Sequence, residues 1–155
     1  MTAEILIGVA AAAVVGIYTA GFVFLRRLRN RAQSDVEQML GPDRVLLVER
    51  SANCAGHDDP DTAARRGAGV LALAEDGLHF MPWMPRGRHL HVPRAAIRAS
   101  AATRTYRRAD FARASFRPML RIDFRTKAGG DASIAWSVTD AEAWCDAIEE
   151  QRAKG

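Results

Sequence analysis

Three histidines, His79, His89 and His91, have the residue types and spacing for chemistry. Where Leu78 and Phe80 face a core, His79 between them faces out; where Leu90 and Val92 do so, His89 and His91 face out as well. A hairpin closed near Pro85 would bring all three imidazoles to one outer face. Three histidines with a position left open are the ligand count of a catalytic zinc site. One reading of this face is therefore a metal-dependent enzyme or a metal-binding protein. The sequence places no carboxylate partner beside them, and histidines on an exposed hairpin are commonly just solvated. The primary reading accordingly assigns no catalytic residue, no metal and no cofactor.

Other chemistry is thinner. Cys54, His57, Asp58, Asp59 and Asp61 can be drawn as a metal loop, but nothing in their spacing fixes a geometry, so a solvated acidic loop is expected. Cys54 and Cys145 are the only cysteines and form no metal signature. There is no phosphate-cradling glycine loop, no nucleophile elbow and no metalloprotease helix.

Charge is more informative. The chain has 22 Lys and Arg against 18 Asp and Glu, and the excess is segregated. From Arg86 to Lys127 the only acids are Asp110 and Asp123, whereas beyond residue 130 acids outnumber bases. Arg98 and Arg104 on one predicted strand, Arg121 and Arg125 on its neighbour, and Arg107 and Arg108 in the connection form a basic face. Like charges on adjacent strands repel, so such a face asks for an anionic counterpart. An acidic protein segment or anionic lipid is the expected partner; nucleic acid is not, because nothing beyond charge supports it.

The elements that must position these groups follow from periodicity. Residues 5–25 carry no charge, and an apolar run of about 20 residues reads as a membrane-spanning helix. Arg26, Arg27, Arg29 and Arg31 flank only its C-terminal end, a basic juxtamembrane cluster that predicts an N-terminus outside and a cytoplasmic remainder, in a single-pass inner-membrane protein. Gly8, Ala12, Gly16 and Ala20 recur every fourth residue, a small-residue ridge that suits self-association into a homo-oligomer. Residues 26–42 predict a basic helical stalk ended by Gly41-Pro42.

From residue 43 the period changes to that of strands. Seven are expected: 44–51, 69–75, 78–82, 88–92, 97 to about 106, 119–126 and 134–138, with a loop over 53–67 and a hairpin signal at Asp76-Gly77. Leu120, Ile122 and Phe124 alternate with Arg121, Asp123 and Arg125, and Ile97, Ala99 and Ala101 are expected to face inward. Thr139-Asp-Ala-Glu142 reads as a capping box opening a final helix, whose apolar face includes Trp144 and Ile148.

Three segments carry a resemblance: the hairpin from Gly69 through Phe80, Pro118-Met-Leu-Arg-Ile-Asp-Phe124, and Ala135-Trp-Ser-Val-Thr-Asp-Ala-Glu-Ala-Trp144. Together with the order of seven strands and one C-terminal helix, residues 43–152 resemble the bacterial pleckstrin-homology-like (PH-like) and GRAM-like domains found behind a single membrane anchor. The resemblance implies a seven-stranded antiparallel bent sandwich or open barrel capped by the C-terminal helix. It also implies a non-catalytic binding or scaffold module that recruits a protein partner or anionic lipid at the membrane. The expected organisation is a segment 1–25 containing the span, a stalk 26–42 and a PH-like domain 43–155.

Overall fold

The computed structural model describes residues 2–57, 66–84, 89–108 and 111–154. One long helix, α1 (Thr2–Leu40), leads into seven strands and a closing helix. The strands are β1 (Val45–His57), β2 (Gly67–Ala74), β3 (Gly77–Pro82), β4 (Leu90–Pro93), β5 (Ile97–Arg108), β6 (Phe111–Arg125) and β7 (Asp131–Ser137), followed by α2 (Ala141–Ala153). All pairings are antiparallel, in the order β4-β3-β2-β1-β7-β6-β5, so β1 joins two meanders into one sheet.

That sheet curls. β3 and β7 are separated by two intervening strands, yet the rings of Phe80 and Trp136 lie 6.1 Å apart. Leu71, Leu78 and Phe80 from one half meet Leu120, Ile122, Ile134 and Trp136 from the other, and Trp144 and Ile148 of α2 complete this buried core. The alternation along β6 is the cause: Leu120, Ile122 and Phe124 turn inward and leave Arg121, Asp123 and Arg125 outside.

α2 starts one residue away from the expected cap. Asp140, not Thr139, accepts from the Ala143 amide at 3.0 Å, while the Thr139 amide donates to Glu49 Oε2 at 2.9 Å. Burial pushes the Glu49 carboxyl up, but bonds from Thr139 and Ser51 outweigh it and hold it below its ordinary value.

The N-terminal expectation is overturned. Among the described residues no helix is long and apolar enough to cross a membrane. α1 continues without a break into Arg26, Arg27, Arg29 and Arg31. The single-pass topology, the outside N-terminus and the inner-membrane location with a cytoplasmic domain, all deduced from that span, are overturned with it.

Nor are residues 26–40 a free stalk. Ala32 and Val36, one helical turn apart, are buried against Val70 and Ala72 on the outer face of β2, with Leu40, Met81 and Trp83 packed around them. α1 thus covers the outer face of one half of the sheet. Ala12, Gly16 and Ala20 of the small-residue ridge stand exposed beyond that contact, and the side chain position of Gly8 lies outside the described residues.

Candidate functional site: a histidine–aspartate cluster and an arginine groove

Register builds the histidine cluster. β3 and β4 pair His79 directly with His91, so both side chains leave the sheet on one face, and His89, two residues before His91, joins them. The rings are nearly parallel: His79 lies 4.3 Å from His91 at 12° and 5.2 Å from His89 at 9°. His79 is the middle ring and is only 3 % exposed, so the expectation of three solvated imidazoles holds for His89 and His91 and fails for His79.

A carboxylate completes the group. β2 and β3 are joined by a two-residue turn, Glu75-Asp76, with Ala74 paired to Gly77. Asp76 Oδ1 lies 2.9 Å from His79 Nε2, and its Oδ2 lies 3.5 Å from His91 Nε2. On its other side, His79 Nδ1 lies 3.0 Å from His89 Nε2. Gly77 permits this closeness: at φ 144°, a Cβ there would sit 2.2 Å from the Val92 carbonyl oxygen. The Asp76 carbonyl also accepts from the Arg94 amide at 2.8 Å, which ties the turn to the end of β4.

The electrostatics follow from crowding. Burial lowers the His89 imidazole below its ordinary 6.5, and the charges of His79 and His91 lower it further against the opposing pull of Asp76. Burial and His79 lower His91 in the same way, with Lys127 adding to the effect and Asp76 opposing it. Burial pushes Asp76 up, but the hydrogen bond from His79 and the charges of His79 and His91 hold it below its ordinary 3.8.

Sequence reasoning found the three histidines and missed Asp76, which it read only as a turn residue. Its position three residues before His79, at the mouth of the same hairpin, was the available signal. Of the other candidate metal loop, only Cys54 and His57 lie among the described residues. Cys54 is buried on β1, inside the core, and His57 belongs to the same strand rather than to a loop; Asp58, Asp59 and Asp61 lie outside the described residues.

The basic residues divide. Arg98, Arg121 and Arg125 line one open groove of about 490 Å³ on the outer face of β5, β6 and β7, together with Asp123 and Asp131. Arg121 pairs with Asp123 at 2.8 Å. Arg104 is exposed but lies away from this groove, between the Thr103 and Thr105 pairings. Arg107 and Arg108 end β5, and their side chains lie outside the described residues.

Two register shifts explain why β5 departs from simple alternation. Between Ile97 and Ala99 a bulge reverses the facing of the strand. Ser100, paired with Ile122, turns to the α2 side and donates to Glu149 at 2.9 Å, while Ala99 lines the outer groove beside Asp123. The expected inward set Ile97, Ala99 and Ala101 is thus broken after Ile97. The second shift, after Thr103, throws β6 residues 115–118 out of register and leaves Phe116 fully exposed. Beyond it Tyr106 folds onto the outer face, where its hydroxyl donates to the Ser133 carbonyl at 2.8 Å. Tyr106 is therefore a packing residue, buried with Ala55, Met119 and Ala135.

A second groove, of about 380 Å³, lies where α2 begins, between Leu47–Arg50 and Trp144. Glu49 already occupies its polar wall through the Thr139 amide, so no anion is needed at this helix end. The chain matches no family model and no curated protein sequence.

Proposed function

We propose that this chain is a non-catalytic, PH-like binding module whose partner is a protein carrying an acidic segment, taken up by the groove of Arg98, Arg121 and Arg125. The observation that carries the reading is the convergence of these three guanidiniums, from two adjacent strands, on one open groove. Arg121 is balanced by Asp123, which leaves Arg98 and Arg125 to meet incoming carboxylates, and Asp131 sets a limit on where they can sit. An extended segment suits an open, shallow groove better than a compact small molecule, which binds in enclosed, mostly apolar pockets. The PH-like assignment is supported by the strand order and the closing helix, which are structural features, so it favours binding over catalysis.

Fluorescence anisotropy with a labelled oligoglutamate peptide tests the proposal on the full chain. Binding should weaken as salt rises, should be absent for an oligolysine peptide, and should fall sharply in an Arg98→Ser/Arg121→Ser/Arg125→Ser variant. Equal binding by the variant would rule the groove out. Binding to anionic vesicles but not to the peptide would replace the protein partner by a lipid one.

A further inference from the structure

We propose that Asp76, His79 and His91 form a binding site for a divalent transition-metal ion of the zinc type, with His89 orienting His79 from outside. The two Nε2 atoms of His79 and His91 point at the two oxygens of a single carboxylate, at 2.9 and 3.5 Å. The three ligand atoms all lie within 4.8 Å of one another. Four-coordinate zinc holds its ligands at about 2.0–2.2 Å, hence roughly 3.4 Å apart, so small side-chain rotations close the set around an ion. Asp76 is free to make them: its side chain is 58 % exposed, whereas His79, at 4 %, is held. Imidazole and carboxylate donors without thiolate suit zinc and its first-row neighbours.

The outer contact sharpens the case. Metal-ligating histidines characteristically give their second ring N–H to a neighbouring acceptor, which fixes the tautomer. His79 has that acceptor in place, with its Nδ1 3.0 Å from His89 Nε2. In the metal-free protein the chain of contacts is satisfied when His89 Nε2–H donates to His79 Nδ1 and His79 Nε2–H donates to Asp76. On binding, the ion takes the place of the proton on His79 Nε2, the His79 proton moves to Nδ1, and His89 accepts it with its own proton on Nδ1. Each ring still carries one proton. Three protein ligands leave a fourth position for water or an incoming side chain.

Calorimetric titration of the full chain with zinc chloride, after chelator treatment, tests this directly. One ion per chain should bind, and the cobalt-substituted protein should show the visible absorption of a four-coordinate ion. Asp76→Asn and His91→Gln should each abolish uptake or weaken it more than His89→Gln, for which an outer partner predicts about a 10–100-fold loss. Both ligand variants change exposed positions; should either misfold, the ring nitrogen shifts of His79 in the wild-type chain decide instead, and they must move when zinc is added. No uptake, uptake unchanged in an Asp76→Asn/His91→Gln variant of normal thermal stability, uptake lost in His57→Gln, or His79 shifts that stay put would each overturn the site.

Discussion

His79 and His91 stand opposite each other on paired strands with their rings 4.3 Å apart, and both aim a nitrogen at Asp76. Stacking of this kind tolerates neutral imidazoles and opposes their joint protonation, because a charge on one ring disfavours a charge on the next.

A pH dependence of stability follows. His89 and His91 are held below their ordinary 6.5 in the folded chain, so on acidification the unfolded chain takes up their protons first. Their contribution to stability is complete above about pH 6.5 and is lost as pH falls from there through their folded values. Asp76, also lowered, adds a second loss below its ordinary 3.8. In metal-free buffer the thermal midpoint should be level near pH 7 and decline toward pH 5, and a His89→Gln/His91→Gln variant should flatten that decline. A midpoint independent of pH over this range would contradict the lowered values.

Trp144 is the main side chain that α2 buries in the core, and it is 3 % exposed. Trp144→Ala should cost about 3–5 kcal/mol, a large share of the roughly 5–15 kcal/mol of a small domain. Urea unfolding of the full chain would reveal an undocked helix if the midpoint did not move.

The start of α2 separates two neighbouring residues. Asp140→Ala removes the side chain that accepts from Ala143 and should cost about 1 kcal/mol. Thr139→Ala should cost less, because the Ala143 amide is accepted by Asp140 and the bond to Glu49 comes from the Thr139 backbone amide, which the change retains. The reverse order in a denaturant series would restore Thr139 as the cap.

Gly77→Ala should be strongly destabilising for a residue in a surface hairpin. Its φ of 144° disfavours a side chain, worth about 1–3 kcal/mol, and the added carbon would press on the Val92 carbonyl. The same change should move Asp76 away from His91, so zinc uptake should fall along with the unfolding midpoint. Retained uptake with a lowered midpoint would show that Asp76 does not depend on this turn.

What the sequence determined by itself was local and periodic. Alternation at Leu120, Ile122 and Phe124 marked the inner face of β6, and the spacing of Trp144 and Ile148 marked the buried side of α2, because strand and helix geometry act over a few residues. Gly41-Pro42 ended α1 where expected, and the spacing of His79, His89 and His91 placed three rings on one face. The tertiary structure decided the rest. The bulge after Ile97 reversed the facing of β5, a matter of register against β6 that no single strand encodes. The docking of Ala32 and Val36 on β2 turned an apparent stalk into a cover, since a modest apolar stripe acquires meaning only from the surface it meets. The apolar run of α1 read as a membrane span from its lack of charge, yet among the described residues no helix has the length and hydropathy for a crossing. Asp76 became the fourth member of the histidine cluster only when a two-residue turn folded it back over the hairpin, a closeness set by how strands pair and not by any periodicity along the chain.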